Sequence, residues 1–117
     1  VVDDERPIVE LAQRMLERLG YSVTTTTSSR EALEIIASNP YWFDLLVTDY
    51  TMPRMTGLDL ANEVKRIRPG MPVIVCSGHN EMINEKTAAT FDIDGFVSKP
   101  FGKHELSSVI RKVLQGD

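Results

Sequence analysis

The chain has 117 residues, with 17 acidic and 13 basic side chains and a formal charge of −4. That length fits one domain, and a hydrophobic content of 42% supplies a core, which excludes a disordered chain. A single cysteine, Cys76, excludes an internal disulfide framework. No apolar run approaches the ~18 residues of a membrane span, and the opening Val1-Val2-Asp3-Asp4 does not read as a secretory signal. The acidic balance argues against a grip on nucleic acid, which needs clustered Lys and Arg. The expectation is a cytoplasmic domain that by itself binds neither nucleic acid nor membrane.

In chain order, Val1-Val2 reads as the stub of a buried strand. The spacing then predicts a helix over 6–19, with Ile8, Leu11, Ala12, Met15, Leu16 and Leu19 on one face, Pro7 in the first turn and Gly20 at the stop. Residues 21–26 are β-rich and polar enough for an edge strand. Ser28-Ser29-Arg30-Glu31 has capping-box spacing and opens a helix to Ser38. Tyr41 and Trp42, just before the next strand, read as packing residues. Residues 43–48 form a nearly continuous apolar strand of the kind covered on both faces, ending at Asp49. After the loop 50–56, a helix is predicted over 57–68 with Leu60, Ala61, Val64 and Ile67 inward, then a buried strand over 72–76. Residues 80–91 carry a weak helical stripe. A short strand over 95–98 precedes a final helix over 103–114, with Leu106, Val109, Ile110, Val113 and Leu114 on its apolar face.

Such alternation of five strands and five helices predicts an α/β fold with a parallel sheet and right-handed crossovers. The doubly wound, flavodoxin-like (βα)5 order 2-1-3-4-5 follows, with the polar second strand at an edge. In open α/β sheets the ligand site lies beyond the carboxyl ends of the strands. Those ends carry Asp3-Asp4, Asp49, Ser77 and Lys99. Converging carboxylates repel one another unless one is protonated or a cation neutralises them. A hard divalent cation with oxygen ligands answers that need, and Mg²⁺ keeps room for a phosphate oxygen. Lys99 offers a point charge for a phosphoryl oxygen and Ser77 a hydroxyl. A carboxylate nucleophile beside these groups points to phosphoryl transfer through an aspartyl phosphate.

The chain resembles the CheY-like receiver domain of bacterial response regulators. Val1-Val2-Asp3-Asp4-Glu5, Asp49 followed by Met52-Pro53 and Gly57, Val75-Cys76-Ser77-Gly78, and Gly95-Phe96-Val97-Ser98-Lys99-Pro100-Phe101 occur in family order and spacing. The resemblance implies that Asp49 is the phosphoacceptor. It implies that Asp3, Asp4, Asp49 and the Thr51 main-chain carbonyl hold Mg²⁺ or Mn²⁺, and that Lys99 contacts the phosphoryl group. Ser77 and Phe96 would be the switch residues, and the Lys99–Pro100 bond cis. Ser77 stands where Thr is commoner and Phe96 where Tyr is frequent. The first strand is short for the family, so 1–117 reads as one receiver domain truncated at its N-terminal strand. Thr51 and His79 occupy positions that tune phosphoryl lifetime in the family.

The implied partners are a histidine kinase or phosphotransfer protein as donor, and an effector domain or output protein. The output would use the face of the fourth helix, fifth strand and fifth helix, and a homodimer is compatible with it. The runs 48–53 and 76–79 are similar to receivers of hybrid sensor histidine kinases, whose kinase activity would lie outside this chain. The domain itself would be no enzyme beyond self-catalysed phosphotransfer and dephosphorylation. An Mg²⁺-dependent aspartyl-nucleophile phosphatase uses similar groups. It would want an acid two residues past the nucleophile, where Thr51 stands, and a cap insertion for which 117 residues leave no room. A flavin carrier would need a phosphate loop where Asp3-Asp4-Glu5 stands.

Overall fold

Parallel pairing organises the molecule. In the computed structural model, which describes residues 1–78 and 92–115, three strands form a sheet of order β1-β2-β3: β1 Leu46–Asp49, β2 Val73–Ser77 and β3 Gly95–Ser98. Both pairs are parallel, with Asp49 opposite Cys76 and Ser77 opposite Ser98. Val2 makes parallel bridges to both Thr48 and Thr26. Its N–H donates to Val47 O and its carbonyl accepts from Asp49 N, each at 2.8 Å. Counting these two segments, the order is that of a 2-1-3-4-5 sheet. The predicted first and second strands thus shrink to one bridging residue each, Val2 and Thr26. Between Tyr21 and Thr25 the polar β-formers make no ladder, because strand propensity needs a packed, paired surface to act on.

Four helices are described: α1 Arg6–Arg18, α2 Ser29–Ser38, α3 Gly57–Ile67 and α4 Lys103–Gln115. The helix expected over 80–91 lies outside the described residues. Pro7 sits in the first turn of α1, and Gly20 follows its end at φ +97°, a conformation that costs glycine little. Ser28 caps α2, its Oγ accepting from Glu31 N at 3.1 Å. The complete capping box belongs to α3: Thr56 Oγ1 accepts from Asp59 N, and Asp59 Oδ2 from Thr56 N.

The strands divide the core into two layers. Towards α2 and α3, Val2, Leu46, Val73 and Val75 pack with Ala32, Ile36, Leu60, Ala61 and Val64. On the opposite side, Val47, Ile74, Cys76 and Val97 pack with Leu16, Leu106 and Ile110. Burial on both faces is why the central strands read as continuous apolar runs.

The apolar stripes shift slightly from expectation. In α1 the buried residues are Val9, Ala12 and Leu16, whereas Leu11 and Leu19 are exposed. In α3 Leu58 is buried and Ile67 exposed; in α4 Ser107 is buried and Leu114 exposed. Periodicity says that a helix has one apolar face, but not which edge of it meets the sheet. Tyr41 and Trp42 are also not packing residues: they are 83% and 76% exposed. Their loop is fastened from beneath by Arg68, whose Nη1 donates to the carbonyls of Pro40 and Phe43 and whose guanidinium lies 5.3 Å from the Tyr41 ring centre. At the other end of α3's last turns, Asp94 Oδ2 accepts from Val73 N at 2.8 Å and from Lys65 Nζ at 2.7 Å, tying helix and sheet together.

Candidate functional site

The carboxyl ends of the parallel strands bring the charged residues to one place. Asp49 is the last residue of β1 and is buried. Asp3 follows the bridge residue Val2 and is buried, while Asp4 is exposed beside it. One carboxylate oxygen from each of the three lies within 4.8 Å of the others. Asp3 also turns the chain into α1, its Oδ1 accepting from Glu5 N at 3.0 Å.

Lys99 follows β3 and reaches back across the sheet. Its N–H donates to Ser77 O at 2.7 Å. Its Nζ lies 2.7 Å from Asp3 Oδ2 and 2.8 Å from Asp49 Oδ1. Burial alone would lower the lysine pKa. The hydrogen bonds that Lys99 donates to Asp3 and Asp49, together with their charges, outweigh it and hold the group above its ordinary range. The ammonium therefore stays charged and neutralises part of the carboxylate cluster. The Lys99–Pro100 bond is cis.

Ser77 ends β2 and is buried. Phe96 on β3 is half-buried and packs against the layer beneath α2 and α3. Thr51 is exposed, two residues beyond Asp49. His79 lies outside the described residues. Cys76 is a buried core residue whose thiol is pushed up to about 12 by burial, with the Lys99 charge pulling the other way.

Two details of the Asp49 main chain were not read from the sequence. Thr48, fully buried, donates its hydroxyl to Asp49 O at 3.1 Å. Gly57, the first residue of α3, lies directly against that carbonyl, so a Cβ there would overlap Asp49 O. The glycine was noted only as one member of a spaced pattern, and the threonine reads as an ordinary strand residue.

Oxygen-only donors clustered this tightly, with one exposed carboxylate open to water, suit a hard cation such as Mg²⁺. Comparison with known proteins agrees with the fold. A family model described as "Response regulator receiver domain" matches residues 1–111. The chain belongs to the response regulator receiver domain family.

Among curated proteins, this receiver is 36% identical over 114 residues to the response regulator SaeR of Staphylococcus aureus (strain USA300), covering 97% of the chain and 49% of SaeR. It thus spans about half the length of the curated relatives it matches. Among solved structures, it superposes on a response regulator receiver domain protein from Clostridium thermocellum with a TM-score of 0.92 at 33% identity, covering 98% and 91% of the two chains. The Vibrio cholerae chemotaxis protein CheY4 gives a TM-score of 0.83 at 28% identity, covering 96% and 93%. The CheY-like flavodoxin fold expected from the sequence is therefore the fold of this receiver.

Proposed function

We propose that this receiver accepts a phosphoryl group on Asp49 from a phosphohistidine of a kinase or phosphotransfer protein, in the cytoplasm. The observation that carries the reading is the convergence of Asp3, Asp4, Asp49 and Lys99 at the carboxyl end of a parallel sheet. Asp3, Asp4 and Asp49, with the Thr51 carbonyl, would hold Mg²⁺ or Mn²⁺. Such an ion supplies charge neutralisation for the acids and for an incoming phosphoryl oxygen.

In the reaction, a carboxylate oxygen of Asp49 attacks phosphorus in line with the donor. The new O–P bond forms as the P–N bond of the phosphohistidine breaks, and its electron pair leaves with the imidazole, which takes up a proton. Lys99, already at 2.8 Å from Asp49 Oδ1, exchanges a carboxylate partner for a phosphoryl oxygen. In dephosphorylation water attacks the same phosphorus, the Asp49 O–P bond breaks with its electron pair returning to the carboxylate, and inorganic phosphate leaves with the water's proton.

Ser77 and Phe96 would report the new charge. The Ser77 hydroxyl moves towards the phosphoryl group and Phe96 turns further into the core, biasing an existing equilibrium. The altered face includes β3 and α4 and serves an effector domain or output protein. The setting is either a stand-alone regulator, an effector fusion or a hybrid histidine kinase. The domain is no enzyme beyond its own phosphorylation and dephosphorylation. The phosphatase alternative lacks support, since Thr51 stands where a second acid would be needed.

The test is to incubate the protein with Mg²⁺ and a small acyl phosphate and to measure intact mass. A single added phosphoryl, labile to base and absent from Asp49→Ala, is expected. No adduct with either the small donor or a phosphorylated kinase would refute the reading, and steady turnover of many monoesters would favour the phosphatase.

A further inference from the structure

The Asp49–Tyr50 peptide is held more tightly than strand pairing requires. Tyr50 N donates to Cys76 O and, one peptide earlier, Asp49 N to Val2 O, each at 2.8 Å, so the two neighbouring segments of the sheet hold this stretch of chain from both sides. Tyr50 O accepts from Gly57 N at 2.8 Å, closing the intervening loop onto the start of α3. The remaining group, Asp49 O, accepts from the buried Thr48 hydroxyl and lies against the Gly57 Cα.

A Cβ at residue 57 would overlap Asp49 O and lie 3.0 Å from Asp49 C and 3.1 Å from Tyr50 Cα. All three are main-chain atoms, so no rotation of a side chain relieves the overlap. Either α3 must back away or the peptide must move. The Thr56–Asp59 capping box keeps the helix start in shape and Gly57 N is bonded to Tyr50 O, so a displaced α3 drags the peptide with it. This peptide carries the Asp49 carboxylate on one side and leads to the Thr51 carbonyl on the other.

We propose that Gly57 and Thr48 are positioning residues that set the Asp49–Tyr50 peptide, and through it the acceptor carboxylate and the cation site. The inference rests on the receiver reading above. Neither residue touches the reacting atoms; both act through the Asp49 carbonyl. A helix of ordinary composition would begin with a better helix former than glycine, and the close approach is what requires it.

Gly57→Ala tests this, with Gly95→Ala as its matched control. Gly95 opens β3 at the far end of the strand from Lys99, and an added Cβ there would be 2.9 Å from Val109 Cγ1 and 3.1 Å from Val113 Cγ2, both side-chain atoms of α4. The readouts are Mg²⁺ affinity by calorimetry and the rate of phosphoryl uptake from an acyl phosphate at saturating Mg²⁺, on chains whose folding is checked by circular dichroism. Gly57→Ala should weaken Mg²⁺ binding about tenfold or more and slow uptake by a similar factor, while Gly95→Ala stays within about twofold of wild type in both. Thr48→Val, which removes only the hydroxyl, should shift both readouts the same way by a smaller factor. It carries the test if Gly57→Ala does not fold. Wild-type affinity and rate in folded Gly57→Ala, or in Thr48→Val where Gly57→Ala is unfolded, overturns the inference. So does an equal loss in Gly95→Ala. A wild-type chain that takes up neither Mg²⁺ nor phosphoryl overturns the receiver reading and this inference together. A competent wild type beside an equally competent Gly57→Ala overturns this inference alone.

Discussion

Replacing Lys99 by methionine keeps most of the side chain's length and removes its charge. The structure allows the consequence to be sized. At an effective dielectric of about 20, opposite unit charges at 2.7 and 2.8 Å attract by about 6 kcal/mol each, before desolvation is counted. The Asp3 and Asp49 oxygens, within 4.8 Å of each other, repel by about 3.5 kcal/mol or more on the same basis. Lys99 outweighs that repulsion in the wild type. Its side chain is 19% exposed and the two carboxylates 5% and 7%, so the pair is mostly buried and desolvation returns much of the gross attraction. Breaking a buried pair of this kind from one side costs about 3–5 kcal/mol. For a domain of this size that lowers Tm by roughly 10–20 °C.

The assay is thermal unfolding in chelator-treated buffer, with and without Mg²⁺. Lys99→Met should melt far below wild type without metal. Saturating Mg²⁺ should raise its Tm by more than it raises that of the wild type, because a bound cation stabilises the folded form by linkage and replaces the lost positive charge. The folded-state pKa of Lys99 is raised, so its contribution is complete below the unfolded value of ~10.4 and fades only as pH rises above it. The gap between the two proteins should therefore be constant from neutral pH to about pH 10. A metal-free Tm within about 2 °C of wild type would refute the argument that Lys99 balances the acidic cluster.

Three further outcomes follow from the packing. Leu60→Ala empties a fully buried site in the α2–α3 layer and should cost about 2–5 kcal/mol in denaturant unfolding. Thr56→Ala removes half of the α3 capping box and should cost about 1 kcal/mol; an unchanged unfolding midpoint would show that the box does not hold the helix start. Cys76 is buried with its thiol pushed up to about 12. At pH 8 it should resist alkylation in the native protein and react at once in denaturant, as read by intact mass. Because its folded pKa is raised, the neutral thiol favours the fold at and below pH 8, and that contribution is lost only as pH rises towards the folded value.

Much of this receiver was legible in the sequence because its signals were local. The nearly continuous apolar runs at 43–48 and 72–76 read as strands covered on both sides, and the residues that end them named the edge where Asp49 and Ser77 stand. The gathering of Asp3, Asp4, Asp49 and Lys99 followed from topology, since parallel strands deliver their carboxyl ends to one side. Contacts between distant segments were illegible. Nothing in the run Val97-Ser98-Lys99 says that the ammonium bonds to Asp3 and Asp49 rather than standing in water. Tyr41 and Trp42 look like core residues by composition, yet Arg68 holds their loop from beneath by main-chain carbonyls, a bond that no side-chain pattern announces. Gly57 read as one spaced residue among several, because its reason lies in the Asp49 carbonyl across the loop.

The central claim is that Asp49 itself carries the phosphoryl group. The direct measurement is to load the protein with phosphoryl from an acyl phosphate in Mg²⁺, cleave it under acidic conditions that preserve the acyl phosphate, and locate the modification by tandem mass spectrometry. The account predicts one modified peptide, with the phosphoryl on Asp49. Modification on Ser77, His79 or His104, or on Asp3 or Asp4 in place of Asp49, would contradict it.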